Sequence, residues 1–210
     1  VFVVDGMSKD KTQEIVSQFK ASFPLHLVKH QGQTVAEQRN LGAAKGVGEY
    51  LVFLDADVRL PADFLDTVKK GLADKAVDFA SPMIVLDSTK KIDRLIDFIT
   101  KINMIFLMKI KNPFLAGPAM VFRKEAFNII GGFDKTIVFG EDFEIARRAS
   151  QNHLKGVMLY KSRAFISPRR FDREPRLGVM IKYLFANTYL LLHGPIRKPL
   201  FSYPMGGDTR

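Results

Sequence analysis

The chain has 210 residues, with 32 Lys and Arg against 22 Asp and Glu, a formal net charge of +10, 47% hydrophobic residues and no Cys or Trp. That length and apolar content fit one domain with a sizeable core, and with 18 Phe they exclude a disordered, collagen-like or mucin-like chain. Without Cys there is no disulfide, zinc–thiolate site or cysteine nucleophile, and the positive balance predicts an anionic partner: nucleotide phosphates, acidic lipid or nucleic acid.

In chain order, Val1–Asp5 reads as a buried, parallel-type strand that meets a turn at Gly6. A strand of that kind normally has something before it, so the sequence predicts a preceding N-terminal part, a first strand and helix, in the natural protein. Lys11–Phe19 predicts a helix with Ile15, Val16 and Phe19 on one face, and Leu25–Val28 a second short strand. Thr34-Val35-Ala36-Glu37 has the capping-box pattern and opens a helix that ends near Gly46. Tyr50–Leu54 predicts another buried strand, and Pro61 suits the first residue of a helix carrying Phe64, Leu65, Val68 and Leu72. Val77–Leu86 and Ala119–Phe122 predict strands, Asp142–Ser150 a helix, and Val157–Tyr160 and Ala164–Ile166 extended segments. Ile92–Ile110 and Leu177–Leu192 are long and apolar, but charged or polar residues interrupt both, so they read as core or interfacial helices rather than spans.

Strands alternating with helices predict a single α/β domain with βαβ units, whose ligands sit at the carboxyl ends of the strands. Asp55-Ala56-Asp57 stands at such an end. In extended chain, residues two apart point the same way, so both carboxylates can leave the sheet edge together. Two hard oxygen donors with no His or Cys beside them suit Mg²⁺ or Mn²⁺ shared with substrate phosphates. The bare pattern is also an ordinary strand end; the buried strand before it and Leu60-Pro61 after it make it more specific. Asp5 lies at another strand end, where Gly6 permits a tight turn and Ser8 and Asp10 can cap the following helix. Gly140-Glu141-Asp142 precedes a helix, where acids serve as dipole partners or, held in place, as a general base. His26, His30, His153 and His193 are scattered, without metal-ligand spacing.

Taken together these motifs resemble family-2 glycosyltransferases with the GT-A fold. The matching pieces are Val3-Val4-Asp5-Gly6-Met7-Ser8-Lys9-Asp10-Lys11-Thr12, Arg39-Asn40-Leu41-Gly42 with Ala44-Lys45-Gly46, and Phe53-Leu54-Asp55-Ala56-Asp57. Gly117-Pro118-Ala119-Met120-Val121-Phe122-Arg123, Gly131-Gly132-Phe133-Asp134 and Gly140-Glu141-Asp142-Phe143-Glu144 follow in family order. The resemblance implies a mostly parallel, Rossmann-like sheet flanked by helices. It places a GT-A domain at residues 1–170 and a C-terminal helical extension, on a membrane-facing reading, at 171–210.

It also implies inverting, metal-dependent transfer of a hexosyl group from a nucleotide-diphosphate sugar, with Mn²⁺ or Mg²⁺ as cofactor. By that resemblance Asp57 binds the cation with Asp55 beside it, and Asp142 is the base with Glu141 in support. Asp5, Arg39, Asp55, Arg169 and Arg170 then belong to the nucleotide-sugar site. The usual opening strand is absent, and Asp5 is followed by Gly6 rather than a second acid. No Gln-x-x-Arg-Trp motif follows, which argues against a processive cellulose- or hyaluronan-type synthase; Ser167-Pro168-Arg169-Arg170-Phe171 stands in that region, as in some small stand-alone members. Apolar spacing with basic fringes in the two long helices suggests an anionic membrane surface and a lipid-linked acceptor such as a polyprenyl phosphate, with catalysis in the cytoplasm or at the cytosolic membrane face. A glycan is the other acceptor class. The competing readings are a non-catalytic nucleotide- or membrane-binding module on the same fold, and a nucleotidyltransferase. Nothing pairs basic with aromatic residues in a nucleic-acid motif.

Overall fold

The computed structural model describes residues 1–32, 34–73, 76–109, 115–169 and 175–197. Strands β1 (Phe2–Asp5) and β2 (His26–Lys29) form a parallel pair, joined by helix α1 (Thr12–Gln18). Helix α2 (Val35–Lys45) begins where the sequence predicts. The Thr34 hydroxyl accepts from the Glu37 N–H, and the Glu37 carboxylate accepts from the Thr34 N–H, each at 3.2 Å. α2 packs on β1 through Gly42, where an added Cβ would come within 3.3 Å of Val4.

The main sheet has five strands in the order β3-β6-β5-β7-β4. They are β3 (Tyr50–Leu54), β6 (Ala119–Arg123), β5 (Phe79–Leu86), β7 (Gly156–Ile166) and β4 (Val58–Arg59). Only β5 and β7 run parallel; β6 lies antiparallel to both β3 and β5, and β4 antiparallel to β7. The sheet is therefore mixed rather than mostly parallel. The four apolar residues Ala119–Phe122 mark a buried strand but carry no information about its direction, which follows from how the preceding segment returns to the sheet.

β7 unites the two extended segments read separately from the sequence. Residues 156–159 pair with Phe79–Pro82 and residues 163–166 with Met83–Leu86, so the register shifts between Pro82 and Met83. Pro82 has no N–H to give to the ladder, which explains the interruption at that point. Two elements went unread: β4, too short to show a period, and α5 (Lys124–Ile129), a single turn and a half directly after β6. The remaining helices are α3 (Phe64–Ala73), α4 (Lys91–Lys109), α6 (Glu141–Gln151) and α7 (Arg176–His193). α3 starts at Phe64 rather than Pro61, whose carbonyl accepts the Phe64 N–H at 3.0 Å.

The core on one side of the sheet is built on phenylalanine. Phe53 lies 5.3 Å from both Phe127 and Phe133, and Phe122 lies 5.6 Å from Phe127, mostly edge-on or tilted. Such pairs add about 0.5–1.5 kcal/mol each beyond their buried area. Ile145, Ala146 and Ala149 of α6 seal the same cluster, so the helix that begins with Glu141 and Asp142 is seated on the rings. α3 covers the other side with Phe64, Val68 and Leu72.

Candidate active site

Helix α2 contributes both halves of the Arg39-Asn40 pair, and each does separate work. The Asn40 side chain makes two bonds to the backbone of Phe133, donating to its carbonyl at 2.8 Å and accepting from its N–H at 2.9 Å. This pins the loop at Gly131-Gly132, where both glycines have positive φ (74° and 72°) and a Cβ on Gly132 would sit 2.6 Å from Asn40 Oδ1. Arg39 lies over the Phe133 ring at 5.5 Å. Its Nη1 donates to Glu141 Oε1 at 2.8 Å; its Nη2 donates to Asp55 Oδ1 at 2.8 Å and to the Gly117 carbonyl at 2.9 Å. Burial works against the charge on Arg39, but Glu141 and Asp55 outweigh it and hold the guanidinium protonated.

Asp55-Ala56-Asp57 forms a turn rather than a continuation of β3. The Asp55 N–H donates to the Pro118 carbonyl at 3.0 Å, and the Val58 N–H returns to the Asp55 carbonyl at 3.2 Å. The extended-chain geometry read from the sequence therefore does not hold here: Asp55 turns toward Arg39, and Asp57 turns outward with 53% of its side chain exposed. Burial raises the Asp55 pKa, with Arg39 pulling the other way. Arg169 Nη2 stands 3.9 Å from Asp57 Oδ2, within ion-pair range but too far for a hydrogen bond.

α6 begins at Glu141 behind Gly140, whose φ of 85° is the left-handed conformation that favours glycine; a Cβ there would also meet Leu190 of α7 at 2.5 Å. Asp142 sits in the first turn of the helix. Its Oδ2 accepts the Gly117 N–H at 3.0 Å and its Oδ1 accepts the Phe143 N–H at 2.8 Å. Gly117 must be glycine for this contact, because a Cβ would stand 2.8 Å from Asp142 Oδ2. Burial pushes the Asp142 pKa up to about 6, reinforced by the neighbouring Glu141 charge and opposed by the Phe143 N–H, Arg39 and the Gly117 N–H. A carboxyl with that value changes protonation near neutrality, which suits a general base.

The structure thus joins Arg39, Asp55, Glu141 and Asp142 in one hydrogen-bonded group and sets Arg169 beside Asp57. Asp5 is buried at the end of β1, where it accepts the Ser8 N–H at 3.1 Å and the Gln13 side-chain amide at 2.7 Å, and so shapes its own loop. Next to it α2 closes over the turn, since a Cβ on Gly6 would meet Gln38 Nε2 at 2.5 Å. Arg170 lies outside the described residues. Sequence reasoning did not single out Asn40 or Gly117 as positioning residues. The signal was the glycine-rich spacing on either side of them, which marks close backbone approach without saying what approaches.

The family model described as Glycosyl transferase family 2 matches residues 1–131. The chain belongs to that family. No curated protein matches this family-2 member. Among solved structures it is similar to the mannosyltransferase PcManGT from Pyrobaculum calidifontis in complex with GDP-Man and Mn²⁺, at 23% identity and a TM-score of 0.62. That likeness covers 92% of this chain and 61% of PcManGT, so the chain spans about three fifths of its neighbour. It is also similar to S. aureus TarS 1-349 in complex with UDP-GlcNAc, at 18% identity and a TM-score of 0.61, over 79% of this chain and 48% of that one. GalNAc-T7 with UDP, GalNAc and Mn²⁺ aligns at 16% identity and a TM-score of 0.57, over 79% of this chain and 37% of its own. At these identities the likeness is one of fold, the α/β GT-A architecture expected from the sequence.

The donor set at the Asp57 turn fits a divalent cation. Among the described residues no group of three or more His, Cys, Asp or Glu gathers to hold a metal. Mg²⁺ and Mn²⁺ sites of this kind, however, usually take one or two carboxylates and complete themselves with substrate phosphate oxygens and water. Asp57, exposed and not hydrogen-bonded to Arg169, can supply such a ligand.

Proposed function

We propose that this family-2 member transfers a hexosyl group from a nucleotide-diphosphate sugar to an acceptor, with inversion at the anomeric carbon. Asp142 removes the proton from an acceptor O–H as that oxygen attacks the anomeric carbon. The bond from that carbon to the diphosphate breaks, and the nucleoside diphosphate leaves without needing a general acid. The Gly117 and Phe143 N–H groups hold the base, Glu141 supports it through Arg39, which also binds the Gly117 carbonyl, and Asp5 shapes the nucleotide end of the site. Asp57 would hold Mn²⁺ or Mg²⁺, with Asp55 kept back by Arg39, and the cation when bound supplies electrostatic stabilisation of the departing diphosphate. Arg169 adds a guanidinium toward the same phosphates, and Arg170 adjoins it in sequence. On this reading residues 1–170 are the transferase domain and 171–210 a C-terminal extension, of which the structure describes residues 175–197 with the helix Arg176–His193. The acceptor is a polyprenyl-phosphate lipid or a glycan, and the reaction takes place on the cytosolic side, where nucleotide-sugars are made.

The observation that carries this reading is Asp142, held by two backbone N–H groups beside the Arg39 brace with its pKa pushed up to about 6. Family membership and neighbours whose structures hold nucleotide-sugars support it. A panel of nucleotide-diphosphate sugars with Mn²⁺, scored for thermal stabilisation and for release of the nucleoside diphosphate, tests it. One or a few donors should stabilise the protein and turn over. A panel in which no donor does either overturns the proposal.

A further inference from the structure

Helix α4 is built inside out. Its inward face carries two acids: Asp93 is 1% exposed and accepts from Arg176 at 2.6 and 3.0 Å and from the Ser88 hydroxyl at 2.5 Å. One turn on, Asp97 accepts the Leu86 N–H of β5 at 3.0 Å. These bonds fix the rotation of the helix about its axis, with Ile96 and Met104 the apolar residues buried beside them. The opposite face carries Ile92, Leu95, Phe98, Ile99 and Ile102, each between 45% and 60% exposed. A helix with water outside should show the reverse arrangement.

α7 repeats the arrangement, and Arg176 in its first turn joins it to the first turn of α4. Val179 and Leu190 face the core, while Ile181, Phe185 and Leu192 lie on the far side at 58%, 59% and 74% exposed. An apolar face of this extent needs a partner. Its charge says which kind. Lys91, Arg94 and Lys101 are exposed along α4, and both of its acids point inward. The 18 residues of α7 contain no acid at all. A second copy of the chain docking here would set basic rim against basic rim, which costs rather than gains. An anionic lipid surface satisfies both features at once, taking the apolar side chains below its headgroups and the Lys and Arg among them.

From this arrangement we propose that the outward faces of α4 and α7 form a docking surface for an anionic membrane, on which the protein lies without crossing it. Among the described residues no helix is long and apolar enough to span a bilayer. The inference does not depend on sugar transfer, since it needs neither Asp142 nor Asp57.

The test is co-sedimentation of the full 210-residue chain with phosphatidylglycerol-containing and with purely phosphatidylcholine vesicles, alongside its oligomeric state by light scattering. The chain should bind the anionic vesicles at low salt and release as salt rises. Leu95→Glu/Ile102→Glu, at exposed positions and with its far-UV circular dichroism unchanged, should lower partitioning by about ten-fold or more. Arg94→Glu/Lys101→Glu should abolish the preference for anionic over neutral vesicles. Absence of binding to anionic vesicles, or binding that both double variants leave intact, overturns the proposal. So does a concentration-dependent dimer that Leu95→Glu/Ile102→Glu dissolves, because a second copy would then be what covers the face.

Discussion

Arg39 makes three bonds of 2.8–2.9 Å, and the residues at their far ends come from three different parts of the chain. Removing the guanidinium takes away the cation that opposes the rise of the Asp142 pKa. In the proposed transfer Asp142 works deprotonated, so turnover should increase with pH through about 6 and then level off. Asp142→Asn should lower kcat by about 10²–10⁴ and leave donor affinity nearly unchanged, as steady-state kinetics paired with equilibrium donor binding would show. A variant that loses donor affinity and keeps kcat would put Asp142 in the nucleotide site instead. Arg39→Gln should move the acidic limb of the kcat profile to higher pH, a displacement that a purely structural defect would not cause. Reading Asp142 and Glu141 from the sequence was feasible because acids at a helix start are visible as a pattern. The bridging by Arg39 was not, since its three partners lie 16, 78 and 102 residues away.

Between elements, two contacts decide the geometry. Gly117 brings the strand-entry loop before β6 against α6 so closely that a methyl group does not fit. Gly117→Ala should displace the Asp142 carboxylate and reduce kcat while the melting temperature changes little, a pairing checked by kinetics and thermal denaturation on the same samples. Asp93 and Arg176 tie α4 to α7. The hydrogen bond from Arg176 holds the Asp93 carboxyl down at about 2, below its ordinary 3.8. A depressed carboxylate contributes its stability fully above the unfolded value and loses it as pH falls through the folded one, here between roughly 4 and 2. Asp93→Asn should therefore cost about 1.5–3 kcal/mol at neutral pH, the range for a bond to a charged group. Urea denaturation should also show a shallower acid dependence below pH 4 than the parent chain. The apolar spacing of both helices was readable from the sequence, but not which side faces inward. Ile92, Leu95, Ile99 and Ile102 look like a core face until Asp93 and Asp97 are seen to occupy that side.

Across the whole molecule, the alternation of strands and helices was legible because buried strands show as apolar runs and helices as caps and periods, and Tyr50–Leu54 falls where the sequence puts it. Strand direction is not legible there: nothing in Ala119–Phe122 says that β6 lies antiparallel between β3 and β5. The turn at Asp55-Ala56-Asp57 is not legible for a related reason: the pattern fixes the residue types, whereas the return of the Val58 N–H to the Asp55 carbonyl turns the chain. Past that turn Asp57 is exposed and open to a cation, while Asp55 is held by Arg39. Titration calorimetry of the chain with nucleoside diphosphates, in Mn²⁺ and again in EDTA, tests this division of labour most directly. Mn²⁺ should tighten binding of at least one diphosphate by ten-fold or more, and Asp57→Asn should remove that gain while its melting curve stays close to the parent's. Equal affinity in Mn²⁺ and EDTA, or a gain that survives in Asp57→Asn, would contradict metal-assisted diphosphate binding at this turn.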